Sequence, residues 1–330
     1  MGDSIRTAAE LSSINAPALG QRVVYEIPRT ADLEKIEISL TGSLTLTTAA
    51  TGLITDGLLN VLTSVELLAN SGRDVICSLP FNVLTQGNFA RRKNGSAPII
   101  TQPGIGIAVN TFSVLSVLDL ASFGSVRPKD TNLREGNYAS LQLAFRFAPD
   151  LTGVYTGAFV TSAQSFVLTV AVHETVELPD ANNAYSNPIA RPLKTAQDVA
   201  ITGAATKVQF KLTPGQGLRG VVLKVQSNAV PPVLTDTALL RCRVNVGKVQ
   251  RLDKSSIMMK AQMALRNPVL PPVGYYFLDF ADRNGSADHL TDVLDLDPAQ
   301  TNGSDSILEV DTASACTITV YQDGYIPLAK

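Results

Sequence analysis

The stretch that decides the fold is RVVYEIPRTADLEKIEISLTG at residues 22–42, because the chain repeats its pattern as KVQFKLTPGQGLRGVVLKVQS at residues 207–227. The two copies align without a gap at an offset of 185. On both sides of a turn, apolar and polar residues alternate, which is the period of a strand with one buried face. The matched apolar pairs are Val23 and Val208, Tyr25 and Phe210, Ile27 and Leu212, Leu33 and Leu218, Ile36 and Val221, Ile38 and Leu223, and Leu40 and Val225. We therefore predict two similar β domains in tandem.

The composition fits two globular domains with sparse charge. The chain has 330 residues, enough for two sizeable cores. Apolar residues make up 45% and charged residues 17%, against an ordinary charged fraction of about 25%. A low charged fraction indicates that partner subunits cover much of the surface. The net charge of −2 offers no basic footprint for nucleic acid.

The sequence shows no targeting signal. Residues 1–21 lack the basic and apolar regions of a signal peptide, and Arg6 stands where a myristoylation motif needs Ser or Thr. No apolar run reaches the roughly 18 to 20 residues of a membrane span. Cys77, Cys242 and Cys316 lie in apolar alternating segments without metal-ligand spacing, so we predict buried reduced thiols.

We predict four segments along the chain. They are an N-terminal arm at 1–20, a first domain at 21–179, a linker at 180–205 and a second domain at 206–330. Within the arm, Ser4 to Ile14 is interpreted as a short helix that Pro17 follows. The linker is polar, contains Pro188 and Pro192, and has no clear period.

Each half contains about eight predicted strands and one short helix, which indicates an antiparallel β-sandwich in each half. The stretch 58–72 fits a helix or a strand; we prefer the strand, because Asn70-Ser71-Gly72 introduces a hairpin. Helices are predicted at 80–92 and, capped by Ser255, at 255–265 with Ile257, Ala261 and Leu265 on one stripe. The predicted strands lie at 22–28, 33–41, 43–49, 58–72, 73–78, 108–122, 138–149 and 165–178, and then within 207–227 and at 234–247, 275–280, 290–296, 306–314 and 316–326.

Two long turn-rich stretches, 93–106 and 122–137, interrupt the first half. Long loops in compact domains are usually functional or disordered. We expect both to project from one end of the sandwich, where they form an exposed top or contact other subunits. The strands around them are predicted to be held by core residues, namely Val109, Leu115, Leu141 and Phe145.

Residue patterns for catalysis are weak. His173 precedes Glu174 on a predicted strand, and His289 lies near Asp288 and Asp292, yet neither histidine accompanies a nucleophile motif. Structural or exposed histidines are the simpler interpretation. The run Gly104-Ile105-Gly106 lacks the third glycine and the helix of a dinucleotide fingerprint.

Ligand patterns are equally weak. Asp288, Asp292, Asp295 and Asp297 provide oxygen ligands suited to calcium, but their spacing fits no EF-hand, so a solvated loop is the preferred interpretation. The basic run Arg91-Arg92-Lys93 suits a solvated helix end or a contact with lipid headgroups or nucleic acid. Acceptor sequences for glycosylation at Asn94, Asn284 and Asn302 are more simply Asn-Gly turns. We predict no catalytic, cofactor-binding or metal-binding residues.

Two other classes of protein fit the strand pattern. A carbohydrate-binding or adhesion module on a β-sandwich usually presents aromatic platforms, but the chain has no Trp and only 6% aromatic residues. A cupin-like enzyme needs clustered His and carboxylate ligands, and two distant histidines do not supply them. A structural protein without catalysis fits better.

The run from Leu33 to Leu79 resembles the first jelly roll of the double jelly-roll major capsid proteins of PRD1-like tailless icosahedral viruses. The resemblance rests on Gly42-Ser43-Leu44-Thr45-Leu46 and on Ala69-Asn70-Ser71-Gly72, where Ser71 interrupts the family's Ala-Asn-Gly. The C-terminal run from YYFLDF at 275–280 to YQDGYIP at 321–327 resembles the end of the second jelly roll. With the internal repeat, the resemblance covers most of residues 20–328, although its motifs are loose apolar patterns.

The resemblance implies an all-β chain of two tandem eight-stranded jelly rolls with one short helix per half. It further implies a homotrimer with a pseudo-hexameric outline that tiles an icosahedral shell, in a virion made in the host cytoplasm. Implied partners are neighbouring capsomers, penton and minor capsid proteins, and an internal lipid membrane reached by the N-terminal arm. Sequence-specific binding of nucleic acid is not implied.

Overall fold

The computed structural model describes residues 4–15, 17–91, 99–121, 132–177, 190–266, 272–280, 294–297 and 305–327. The chain divides into two compact units. The first takes in residues 1–85, 98–123 and 127–189, and the second takes in residues 86–97, 124–126 and 190–330. The main division therefore falls within the stretch predicted as a linker.

The first unit is built from antiparallel strands. They are β1 (Ser4–Glu10), β2 (Ile14–Asn15), β3 (Arg22–Glu26), β4 (Asp32–Thr48), β5 (Gly52–Leu53), β6 (Leu62–Ala69), β7 (Asp74–Leu79), β8 (Ile99–Thr101), β9 (Val109–Asp119), β10 (Leu133–Arg134), β11 (Leu141–Phe147), β12 (Tyr155–Thr156) and β13 (Val160–Glu177). Helix α1 (Phe81–Arg91) follows β7, and short 3-10 turns occupy Gly57–Val61 and Glu135–Asn137.

Two sheets face each other in this unit. Sheet 1A has the order β1-β13-β4-β9, and sheet 1B has the order β3-β11-β6-β7. Counting the eight long strands in chain order, sheet 1A holds the first, eighth, third and sixth, and sheet 1B the second, seventh, fourth and fifth. This order is that of a jelly roll. The rings of Phe147 from sheet 1B and Phe166 from sheet 1A pack 5.6 Å apart between the sheets.

The second unit repeats this order. Its elements are β14 (Ala190–Ile201), β15 (Ala205–Lys211), β16 (Gly217–Ser227), β17 (Leu239–Val246), β18 (Val249–Ser255), α2 (Ser256–Arg266), β19 (Tyr275–Asp279), β20 (Leu294–Asp295), β21 (Ile307–Thr312) and β22 (Cys316–Pro327). Sheet 2A has the order β14-β22-β16-β19, and sheet 2B has the order β15-β21-β17-β18. The described part of the chain is thus all-β, with two tandem eight-stranded jelly rolls and one short helix after the fifth long strand of each.

The internal repeat corresponds to equivalent strands. Both copies consist of the second and third long strands of their unit, β3 and β4 in one and β15 and β16 in the other. Tyr25 and Phe210 are 6% and 2% exposed, and Ile38 and Leu223 are both fully buried. The predicted core positions of the repeat are therefore confirmed in each unit, except for Val208, which is only partly buried.

The first strand of each jelly roll lies outside the predicted domains. The segment predicted as an arm contains β1, which pairs with β13 from Ser4 opposite Glu177 to Glu10 opposite Ala171, so the predicted helix from Ser4 to Ile14 is wrong. The segment predicted as a linker contains β14, which pairs with β22 along its whole length. Both strands are mixed in polarity, so their own alternation is faint.

A single strand, β4, replaces the two strands predicted at 33–41 and 43–49. Gly42 lies in its middle, opposite Phe166 of β13. A Cβ atom at this position would lie 2.0 Å from the carbonyl oxygen of Ser165 and 2.8 Å from the Phe112 ring. Glycine here permits a close approach of neighbouring strands and does not end the strand.

The hairpin predicted at Asn70-Ser71-Gly72 is confirmed. These three residues have φ values of 54°, 59° and 84°, in the left-handed region that a tight turn requires, and they join β6 to β7. The strand preferred over a helix at 58–72 is correct from Leu62 onward, while Gly57–Val61 forms a 3-10 turn.

Strand β9 forms as predicted, but its buried face is the opposite one. Val109 and Leu115, predicted as core, are 63% and 37% exposed, whereas Phe112 and Val114 are 3% and 1% exposed. Both faces of this strand carry apolar residues, so alternation alone does not decide which face is buried. The other predicted anchors, Leu141 and Phe145, are buried as expected.

Candidate assembly surfaces

Helix α2 is fastened to the second unit by one face. The hydroxyl of Ser255 accepts a hydrogen bond from the Met258 amide at 3.3 Å, which confirms the predicted N-terminal cap. Met259 and Met263 point inward and are 1% and 3% exposed. The Sδ of Met263 accepts a hydrogen bond from the Phe277 amide at 3.3 Å.

A lysine on the flank of α2 adds a polar attachment. The Lys260 ammonium lies 2.9 Å from the Asp236 carboxylate, donates to the Pro272 carbonyl at 2.5 Å, and sits 4.8 Å from the centre of the Tyr276 ring. Burial lowers the pKa of Lys260, and Asp236 opposes this effect. These contacts hold the helix in one orientation.

The opposite face of α2 is apolar and uncovered. The predicted stripe was expected to face the core, but Ile257 is 80% exposed and Leu265 is 88% exposed, with Ala261 exposed between them. Met258 beside the stripe is 53% exposed. A helix that is apolar on all sides is ordinarily buried on all sides. We call Ile257, Met258, Ala261 and Leu265 the α2 stripe and regard it as a candidate assembly surface.

The first unit carries its own exposed apolar side chains between β8 and β9. They are Ile99, Ile105, Ile107, Val109 and Leu115, of which Ile107 is 69% exposed. Ile99 and Leu115 are paired across β8 and β9. Contiguous exposed apolar residues typically mark interaction sites, and Ile99 and Leu115 are contiguous in this way. This group, the β8–β9 patch, lies at the described end of the first predicted excursion.

The outer face of sheet 2B contrasts with the α2 stripe. Arg241 makes a two-pronged contact with Asp253, and Arg243 makes one with Asp311 at 3.0 and 2.5 Å. Each arginine lowers the pKa of its partner's carboxyl group. Cross-strand ion pairs of this kind suit a face that meets water.

The predicted histidine site separates into two environments. The His173 Nε2 lies 3.1 Å from the Glu37 carboxylate, which also accepts a hydrogen bond from Lys35 at 2.6 Å. Glu174 is 8% exposed and accepts a hydrogen bond from the Thr30 hydroxyl at 2.9 Å. The two neighbours on β13 do not act together, as expected for adjacent residues of a strand.

The remaining candidates show no site among the described residues. Gly104 to Gly106 leads into strand β9 and not into a helix, and the Gly104 carbonyl accepts a hydrogen bond from the Tyr155 hydroxyl at 3.2 Å. Asp295 caps the Asp297 amide at 2.9 Å. Arg91 ends α1. The other named residues, Asp288, His289, Asp292, Arg92, Lys93, Asn94, Asn284 and Asn302, lie outside the described residues.

The described residues include neither a metal-binding cluster nor a helix able to span a membrane. In the part of the chain that the structure describes, no cluster of three or more His, Cys, Asp or Glu side chains is arranged to hold a metal ion. No described helix has the length and apolar character needed to cross a membrane. Cys77, Cys242 and Cys316 are buried and form no disulfide, and burial raises the pKa of Cys242 to about 12.

Sequence reasoning missed two buried polar features. Lys194 and Asp323 form an ion pair within sheet 2A, and Glu135 buries its carboxyl group at one end of sheet 1A. Lys194 lies in the predicted linker and Glu135 in a predicted loop, so neither position was expected to be buried.

Solved structures with the same fold are viral capsid proteins. The major capsid protein of Sulfolobus turreted icosahedral virus matches with a TM-score of 0.70 at 17% identity, over 98% of this chain and 97% of that one. The major capsid protein P2 of bacteriophage PM2 matches at 0.63 and 10% identity, over 99% of both chains. The Faustovirus major capsid protein matches at 0.62 and 8% identity, over 100% of this chain and 91% of that one. No family model matches the sequence, and no curated protein matches it. The chain therefore has the double jelly-roll fold of these proteins along its whole length.

Proposed function

We propose that the protein is a major capsid protein that builds the shell of an icosahedral virus and has no catalytic role. The observation that carries this proposal is the repeated strand order, which gives two complete jelly rolls in one chain. Three capsid proteins that are 8–17% identical to this chain share its fold over at least 98% of its length. A double jelly roll supplies two similar blocks per chain. Three chains then give six blocks, which suits a lattice of hexagonal outline.

The capsomer in this proposal is a closed homotrimer with heterologous contacts. The α2 stripe lies in the second unit and the β8–β9 patch lies in the first, so each copy carries two different apolar surfaces. Heterologous contacts between two different surfaces close into a ring when the rotation permits. An obligate interface of this kind buries more than about 2,000 Å². The low charged fraction of 17% supports extensive coverage by partner copies.

The wider partners follow from the same role. Neighbouring capsomers, penton and minor capsid proteins surround a capsomer in a shell, and the virion is its location after synthesis in the host cytoplasm. The proposal also includes an internal membrane, which the N-terminal segment of residues 1–20 would contact. We also propose the two jelly rolls as the two domains of the chain, with the boundary near residue 190.

The experiment that tests the function uses the purified full-length chain. Light scattering measures its mass in mild buffer, and negative-stain microscopy shows its shape. We expect three-copy blocks of hexagonal outline that form sheets or shells at high concentration. A stable monomer at all accessible concentrations contradicts the proposal.

A further inference from the structure

A carboxyl group is buried without a partner at one end of sheet 1A. Glu135 opens the 3-10 turn Glu135–Asn137 directly after β10. Its side chain is 0% exposed, and neither carboxyl oxygen has a hydrogen-bond partner. An ionised carboxylate in such a place is costly, because burial removes water and nothing replaces it.

Acidic groups face this carboxyl from the neighbouring strands. Glu174 on β13 and Asp32 at the start of β4 both act on it, and both raise its pKa. Glu174 is itself 8% exposed and is held by the Thr30 hydroxyl at 2.9 Å. The amides of Thr30 and Ala31 approach Glu135 and lower its pKa, although neither makes a well-formed hydrogen bond.

The other charges at this end of the sheet are already engaged. Glu34 on β4 lies 3.2 Å from the Arg6 guanidinium of β1 and accepts a hydrogen bond from Thr175 of β13 at 3.2 Å. Arg134 precedes Glu135 on the same short segment and lies opposite Asp32. Burial and the two nearby acids together raise the pKa of Glu135 to about 8, so it carries a proton at neutral pH.

The segment that carries Glu135 is attached by a short strand and by the Arg29 guanidinium, which donates a hydrogen bond to the Tyr138 carbonyl at 2.6 Å. Strand β10 contains two residues, which pair with β4 through Leu133 opposite Leu33 and Arg134 opposite Asp32. Leu133 and Asn132 are 1% and 2% exposed, so the segment is packed but short. When Glu135 ionises, Glu174 repels its carboxylate. The carboxylate can be solvated most easily if this segment moves away from the sheet. Short segments with few bonds open at low cost in free energy.

We propose that Glu135 and Glu174 form a proton-dependent latch that holds residues 132–138 against the end of sheet 1A and that opens under alkaline conditions. The latch lies wholly within the first unit and does not depend on the proposed capsid function. It gives the chain a segment whose attachment responds to proton concentration while both jelly rolls stay folded.

Hydrogen exchange of the full-length protein tests the latch between about pH 6 and about pH 9.5, after correction for the intrinsic rate. Residues 132–138 are compared with Leu141–Phe147 of β11 as the internal reference. In the unmodified protein, we expect protection of residues 132–138 to fall by up to about tenfold per pH unit as the pH rises toward the Glu135 pKa of about 8 and to level off above it, while the reference stays unchanged.

Three variants separate the latch from simple packing. Glu135→Gln cannot ionise and should keep its protection at every pH. Glu174→Gln removes the facing charge and so lowers the pKa of Glu135, which should make the loss of protection smaller and end it at lower pH. Glu10→Gln, at an exposed position of β1, should behave as the unmodified protein. Equal pH dependence in the segment and the reference overturns the proposal. If Glu135→Gln does not fold, a loss in Glu174→Gln as large as in the unmodified protein overturns it as well.

Discussion

Lys194 on β14 and Asp323 on β22 lie directly opposite each other in sheet 2A and form an ion pair whose side chains are 1% and 0% exposed. Breaking a buried pair from one side leaves an uncompensated charge. We expect Lys194→Met to lower the free energy of unfolding by about 3–5 kcal/mol. Urea denaturation measures this loss.

The control for this prediction is the exposed pair Lys211 and Asp305, whose side chains are 77% and 61% exposed at a separation of 2.8 Å. Lys211→Met should cost less than about 1 kcal/mol. Replacing both members of the buried pair, as Lys194→Met with Asp323→Leu, should recover part of the loss. Equal effects of Lys194→Met and Lys211→Met contradict the argument.

Gly42 provides a second prediction, on strand packing. An added methyl group would meet the backbone oxygen of Ser165, which cannot move without displacing β13. We expect Gly42→Ala to destabilise the first unit by about 1–3 kcal/mol, or more if the strands separate. Gly203, where an added Cβ meets nothing within 4 Å, is the matched control and should tolerate alanine within about 0.5 kcal/mol. Similar melting temperatures for both variants would show that β4 and β13 have room to adjust.

The strands of the repeat could be predicted because their two faces differ. In β15 each apolar residue is followed by a polar one, and in β3 only Val24 departs from this alternation, so the period fixes both strands and their buried sides. In β9 the alternate faces carry Val109 and Leu115 or Phe112 and Val114, and the sequence does not distinguish them. Which face of β9 is buried depends on the elements that pack against it, and this is a tertiary effect.

The other features that the sequence did not predict also depend on tertiary contacts. Strands β1 and β14 are mixed in polarity, and their pairing with β13 and β22 is decided by the partner strand and not by their own pattern. In α2, both the face with Met259 and the face with Ile257 are apolar. Periodicity finds the helix but cannot choose between two apolar faces. Glu135 and Lys194 are buried because of their positions in the folded sheets, and no pattern in the neighbouring sequence indicates this burial.

The stability of the chain should depend on pH through Glu135. In the unfolded chain this carboxyl loses its proton near its ordinary pKa of 4.5, whereas the folded chain keeps it to about 8. Between these values the folded state binds more protons, so the free energy of unfolding falls as pH rises, by up to about 1.4 kcal/mol per pH unit. Urea denaturation at a series of pH values should show a shallower fall in Glu135→Gln, with the two proteins converging toward pH 5. Parallel curves would rule out a role for this carboxyl group.

The α2 stripe gives a prediction that separates folding from assembly. Ile257→Gln with Leu265→Gln keeps good helix formers on a face that is largely exposed in the described chain, so the melting temperature of the dissociated chain should hardly change. If a second copy covers the stripe, the loss of each apolar side chain should weaken the interface by roughly 1.5–3 kcal/mol of hydrophobic free energy. Met259→Ala, on the buried face of the same helix, should instead lower the free energy of unfolding by about 2–5 kcal/mol. Sedimentation measures assembly, and calorimetry measures folding. A doubly substituted protein that assembles as well as the unmodified one would mean that the stripe is not the surface through which the copies meet.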